Sequence, residues 1–129
     1  MDANTISRLS GQMQEQVASY KQGDESHRLK LLATSQQLLR AIETPKERIA
    51  RMCYADIYLF IMTRVLVDLD VFNILAKANG PVTVTQLGKQ TGADPALLAR
   101  MLKHVCTQGF VDEAGADEYV ASGVTKVMA

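Results

Sequence analysis

Apolar residues recur along this chain at helical spacing, and the pattern is broken where Gly, Pro, Asn or a capping residue intervenes. Residues 1–23 are mostly polar, with scattered Ile6, Leu9, Met13 and Val17, which reads as a polar arm or a weakly amphipathic helix. Gly23-Asp24 ends that stretch, and Asp24 is placed to cap the next helix. From Glu25 to Ile42 the positions Leu29, Leu32, Leu39 and Ile42 form one stripe, with Leu31 and Leu38 beside it and Arg28, Lys30 and Arg40 outside it. Thr44-Pro45-Lys46-Glu47 combines an N-cap, a first-turn proline and a capping-box glutamate, so a helix starts at Pro45. Its apolar positions are Ile49, Met52 and Cys53, then an almost unbroken run from Ile57 to Leu75. The segment Ile57–Met62 is apolar all round, and such a helix in water must be covered on every side. Either the 25–42 helix covers it within the chain or a second chain does, and the second course is expected because one short chain has few elements to spare.

Beyond that run the punctuation changes. Asn79-Gly80-Pro81 marks a turn, and Thr83-x-x-Gln86 a second capping box that opens a short helix through Leu87 to Thr91, closed by Gly92. Asp94-Pro95 launches another helix over Ala96–Gln108, with Leu97, Leu98, Met101, Leu102, Val105 and Cys106 as its apolar stripe and Gly109 at its end. Phe110-Val111 and Tyr119-Val120 then flank Asp112–Glu118 as a hairpin with Gly115 at the tip. Helix, turn, short helix, second helix and hairpin, in that order over 68–122, predict a winged helix. The expected architecture is mainly α: a helical dimerisation region, then a winged helix-turn-helix with a small β-hairpin wing. The expected domains are a 1–23 arm and a 24–129 domain.

A length of 129 residues, 47% hydrophobic and 22% charged, fits one globular domain with or without an N-terminal extension. Fourteen basic residues balance fourteen acidic ones, so net charge draws the chain neither to nucleic acid nor to anionic lipid. Winged helices that read DNA carry Arg and Lys on the third helix and the wing. Over 82–129, Lys89, Arg100, Lys103 and Lys126 face Asp94, Asp112, Glu113, Asp117 and Glu118, a net of −1, and the wing holds four carboxylates and no base. That surface repels phosphates, so no nucleic-acid partner is expected, with Arg100, Lys103 and His104 the best residues for the opposite case. No signal-peptide pattern opens the chain, and the longest apolar run, Ile57–Val67, is too short for a bilayer and contains Arg64. No membrane partner and a reducing, cytoplasmic setting are therefore expected, with Cys53 and Cys106 as buried core thiols.

No catalytic constellation emerges. His27 and His104 have no metal-ligand spacing to each other or to the cysteines, and no Gly-x-Gly-x-x-Gly turn follows a strand. Asp56, Asp68 and Asp70 near the apolar helix read as exposed or capping, and Met52, Met62 and Met101 as core. Catalytic, cofactor-binding and metal residues are thus expected to be absent from this chain.

The order of these pieces resembles the N-terminal domain of fungal O-methyltransferases of the plant type, which use S-adenosylmethionine (SAM) on small secondary metabolites. The resemblance rests on Val67–Leu75, Gly80-Pro81-Val82-Thr83 before Gln86-Leu87, and Gly92-Ala93-Asp94-Pro95 before Leu98–Leu102. Gly109-Phe110-Val111 before Tyr119–Ser122 completes it, with Leu38–Pro45 similar to the preceding helix, so roughly residues 30–129 are covered. The departure is Asp70, where the family usually has glycine, which leaves open whether the helix continues or caps differently there. Family members carry a Rossmann-like catalytic domain next, and no residue here matches its adenosyl-binding glycines or histidine base; the chain is expected to stop where the linker to it begins. The resemblance implies a homodimerising, substrate-enclosing domain with no catalysis of its own, the SAM and the small-molecule substrate belonging to the parent enzyme. It also implies helices intertwined between subunits, and the residues expected at the interface are Ile57, Phe60, Ile61, Met62, Val65 and Leu66. An obligate interface of this kind buries more than about 2,000 Å² in total. The alternatives are the same domain of a methyltransferase-like enzyme with changed, pericyclic or dehydrating chemistry, and a winged-helix DNA-binding regulator.

Overall fold

The structure, a computed structural model, describes residues 2–129, and its contacts divide the chain between Cys53 and Tyr54 into two units.

In the first unit, α1 (Ala3–Ser19) starts where the Asp2 carboxylate accepts from the amides of Asn4 and Thr5. Gly23, at φ +90, turns the chain into α2 (Glu25–Ile42), which the Asp24 side chain caps by accepting from the His27 amide. The His27 side chain 2.9 Å from that carboxylate, together with the amide, holds the Asp24 carboxyl below its usual range. The expected capping box at Thr44 and Glu47 opens α3 (Pro45–Ala50). Glu43 lies between α2 and α3 with its carboxylate 2.6 Å from Arg51 and 3.7 Å from Arg48, and the Arg51 hydrogen bond holds its carboxyl low. The unit has almost no core: Leu9 and Thr34 are its only buried side chains among the described residues.

The helix begun at Pro45 runs through a π-helical turn, Arg51–Ala55, into α4 (Asp56–Asp68). The spacing of Ile49, Met52 and Cys53 before the apolar run carries no sign of that turn.

The second unit is the winged helix. After α4 come α5 (Val71–Lys77), β1 (Val82–Thr83), α6 (Val84–Thr91), α7 (Pro95–Cys106), β2 (Val111–Gly115), β3 (Glu118–Ala121) and α8 (Gly123–Met128). The apolar run Ile57–Leu75, expected as one helix, is broken at Leu69-Asp70. Asp70 takes a left-handed conformation at φ 60, which lets the chain turn sharply between α4 and α5. That conformation suits glycine best and aspartate tolerably, which answers the open question at this position. The Asn73 side chain donates to the Asp70 carboxylate at 2.6 Å and helps hold the turn.

Thr83 and Gln86 form the second expected capping box, Gly92 closes α6 at φ 74, and Asp94 caps α7 through the Leu97 amide. The helices α6 and α7 cross closely at Gly88, where an added Cβ would lie 2.8 Å from Pro95 Cγ and 2.9 Å from the Ala93 carbonyl oxygen. The helix α7 ends at Cys106, two residues before the expected Gln108, because the chain tightens into a turn that Gly109 completes at φ 73.

The sheet is antiparallel in the order β1-β3-β2, with Val82 opposite Tyr119 and Val111 opposite Ala121. The strand β1 is too short to leave a periodic signal, and it was not expected. At the wing tip the left-handed residue is Asp117, φ 57, whereas Gly115 belongs to the end of β2 beside a bulge. The helix α8 was also unexpected: Ser122 and Thr125 form its capping box, and the Ser122 hydroxyl lies 2.9 Å from the Gly109 and Phe110 carbonyls.

This unit has a true core. Leu66, Val71, Phe72, Leu75, Leu87, Leu98, Leu102, Val105, Val111 and Tyr119 are buried together, and Phe72 and Phe110 stack tilted at 6.5 Å. Each such side chain contributes roughly 1.5–3 kcal/mol by leaving water. Tyr119 adds a cost, because its hydroxyl is buried without a hydrogen-bond partner. Burial first, then the nearby Glu113 and Asp117 carboxylates, push its ionisation up to about 12. Since the unfolded side chain ionises near 10, stability is fully present below about pH 10 and is lost as pH rises from there toward 12. Tyr119→Phe is expected to leave stability at pH 7 unchanged or raise it by about 1 kcal/mol. It should also flatten the alkaline loss, read by denaturant melts at pH 8 and pH 11. A large destabilisation at neutral pH would mean the hydroxyl is satisfied after all.

Candidate association surface

Successive helical residues step by about 100°, so α4 can be divided into faces. Leu59, Met62 and Leu66 point one way, into the core formed with α5 and α7. The opposite arc carries Ile57, Tyr58, Phe60, Ile61, Val65 and Val67, with Tyr54 just before it, all exposed in the single chain. Phe60 stands furthest out, at 73% exposure, whereas Leu66 is at 0%.

The six residues expected at an interface therefore separate. Ile57, Phe60, Ile61 and Val65 lie together on the open face. Met62 and Leu66 pack inward, and Leu66 is spent entirely on the chain's own core, so it is unavailable at the surface. Tyr54, Tyr58 and Val67 belong to the open face and were missed. They lie in or beside the same apolar run, but a run apolar on all sides does not reveal which side the core will take.

An ion pair lies on this face one turn beyond Phe60 and Ile61, Arg64 to Asp68 at 2.9 Å, four residues apart and exposed on both sides. Such a pair contributes at most a few tenths of a kcal/mol. Contiguous exposed apolar patches are where association sites are commonly found.

The third helix of the winged unit, α7, presents Arg100, Lys103 and His104. Lys103 is held 3.0 Å from Asp117 of the wing, and the carboxylate raises the lysine's pKa. The ion pair fastens α7 to the wing and takes up one of the few cations there. Cys53 is exposed, contrary to its expected burial, because it sits in the π turn outside either helical face; Cys106 is half-buried beside the core. Among the described residues, no group of three His, Cys, Asp or Glu could hold a metal ion, and no helix is long and apolar enough to cross a membrane.

Residues 52–128 match the family described as "O-methyltransferase dimerisation domain", and the chain belongs to that family. Its relatives are fungal O-methyltransferases. One is the demethylsterigmatocystin 6-O-methyltransferase of Aspergillus parasiticus, 38% identical over 68 residues, which are 53% of this chain and 18% of that protein. Solved structures share the fold at lower identity. OxaC in complex with sinefungin and meleagrin superposes with a TM-score of 0.78 at 22% identity, over 97% of this chain and 32% of that one. A structure described as a pericyclic reaction enzyme gives 0.76 at 21%, over 99% and 32%. LepI in complex with SAM gives 0.75 at 22%, over 100% and 32%. The chain thus spans about a third or less of the length of these proteins.

Proposed function

We propose that this domain homodimerises through the open face of α4, centred on Ile57, Phe60 and Ile61 with Val65 at its edge, and helps enclose a small-molecule substrate. Within a longer protein it would serve a SAM-dependent O-methyltransferase of secondary metabolism, probed best in a reducing, cytoplasmic-like buffer. The domain would contribute no catalytic residue itself. The observation that carries the reading is the apolar outer face of α4, left uncovered by its own chain within a family described by dimerisation. Obligate interfaces are dominated by such apolar and aromatic anchors rather than by polar chemistry.

Light scattering during size-exclusion chromatography, over a range of concentrations, tests it. The expected solution mass is twice that of the chain. A well-folded monomer at all concentrations would remove the reading.

A second reading keeps the domain but changes the parent's chemistry to a pericyclic or dehydrating step, and the pericyclic enzyme among the structures of this fold favours it. The full-length protein separates the two. Methyl transfer from labelled SAM to a small hydroxylated acceptor supports the first reading, and product formation without SAM consumption supports the second. The DNA-binding reading has less support, since Lys103 is paired to the acidic wing. Salt-dependent binding to mixed duplex DNA would revive it.

A further inference from the structure

The reversal between α1 and α2 sets a hydroxyl, an imidazole and a carboxylate in a row. Gly23, at φ +90, folds the chain back, so Ser19 at the end of α1 meets His27 in the first turn of α2. His27 Nδ1 lies 2.9 Å from the Asp24 carboxylate, and His27 Nε2 lies 3.5 Å from Ser19 Oγ.

The partners fix where the protons sit. The His27 side chain and amide hold the Asp24 carboxyl below its usual range, so it is ionised and only accepts. Nδ1 therefore carries a proton, and in the neutral imidazole Nε2 is left as an acceptor facing Ser19. At rest the Ser19 hydroxyl donates to the Glu15 carbonyl at 2.9 Å, with the Gln16 carbonyl at 3.3 Å. A hydroxyl hydrogen rotates to suit its partners, so turning it onto Nε2 moves no heavy atom. A separation of 3.5 Å is long for this bond, and such contacts commonly tighten only when substrate binds. Ser19 is exposed, and the His27 and Asp24 side chains are 32% and 40% exposed, so a small reagent reaches the hydroxyl.

We propose that Ser19, His27 and Asp24 form a site of acyl transfer, with Ser19 as nucleophile, His27 as general base and Asp24 as the positioning residue for the imidazole. Its substrates are small esters with good leaving groups, since an open hydroxyl admits any small acyl carbon but holds none firmly. Ser19 Oγ bonds to the acyl carbon as its proton passes to Nε2, and the leaving oxygen departs with that proton. Water then attacks the acyl-serine and gives a proton to Nε2. His27 returns it to Ser19 Oγ as the carboxylic acid is released. Assistance by a positioned base contributes about 10²–10⁴ in rate. The proposal is independent of the homodimer and of the parent protein's reaction. Sequence spacing concealed the site, because the three residues meet only across the turn at Gly23.

Incubating the full chain with 4-nitrophenyl acetate tests this, in a Cys53→Ser background so that the exposed thiol takes up no acetyl group. Peptide mass spectrometry is expected to find acetyl on Ser19, with release of 4-nitrophenolate. Ser19→Ala should remove that adduct, and His27→Gln should slow its formation about a hundredfold. Asp24→Asn separates orientation from capping, because asparagine caps a helix about as well as aspartate but favours the wrong imidazole tautomer. Acylation should fall at least about tenfold in this variant while circular dichroism shows the helices unchanged. Unchanged acylation would leave Asp24 a helix cap only and overturn its place in the site. No acetyl on Ser19, or nitrophenolate release that Ser19→Ala leaves unaltered, overturns the whole proposal.

Discussion

Phe60→Asp is expected to convert the dimer into a folded monomer. Phe60 is the most exposed aromatic side chain of α4 and sits among Ile57 and Ile61, as an interface anchor would. Truncating an aromatic anchor costs about 2–4 kcal/mol, and burying an unpaired carboxylate in its place adds to that. A two-fold interface uses the same residue twice, so the total reaches at least about 4 kcal/mol, or roughly a thousandfold in the dissociation constant. Light scattering at micromolar concentration should then give the monomer mass. Thermal unfolding of the winged helix should barely change when measured under monomeric conditions, because an exposed substitution away from caps and core costs under about 0.5 kcal/mol. An unchanged dimer would show that α4 does not form the interface.

Leu66→Ala is expected to do the reverse. Only six residues along the same helix, Leu66 is fully buried against α5 and α7. Removing a buried leucine costs about 2–5 kcal/mol through lost transfer energy and the cavity left behind. In a domain this small the whole stability is on the order of 5–15 kcal/mol, and each kcal/mol moves the midpoint by about 4–8 °C. A drop of ten degrees or more in Tm is the expected reading, with the dimer still present below the transition. A variant that melts normally but dissociates would place Leu66 at the interface and reverse the assignment of the two faces. The pair of substitutions separates core from surface on one helix.

That separation is also where the sequence ran out. The run Ile57–Met62 announces that the helix must be covered all round, but the faces are interchangeable in a pattern apolar on every side. Only the packing of α5 and α7 against Leu59, Met62 and Leu66 selects the inner face, and so leaves Phe60 outside. The break at Asp70 was hidden for a related reason. A left-handed residue is signalled by glycine, and aspartate at that position does not declare its conformation. The two-residue strand β1 exists through its pairing with β3, which no local pattern encodes. The box that starts α8 uses threonine in its third position rather than the usual Glu or Gln, so it did not stand out.

What the sequence determined by itself was set by short-range chemistry. The capping boxes at Thr44 and Thr83, the Asp-Pro start of α7, the glycine ends of α6 and the α7 turn, and the order of a winged helix are each a matter of a few neighbouring residues. These satisfy helix-end amides and permit left-handed turns locally, so they can be read without knowing what packs where. What only the tertiary structure decided was the use of each apolar residue: Leu66 for the core, Phe60 for the surface, Lys103 for the wing rather than for phosphate. Burial is a property of distant parts of the chain meeting, and the hydrophobic effect that drives it has no direction of its own.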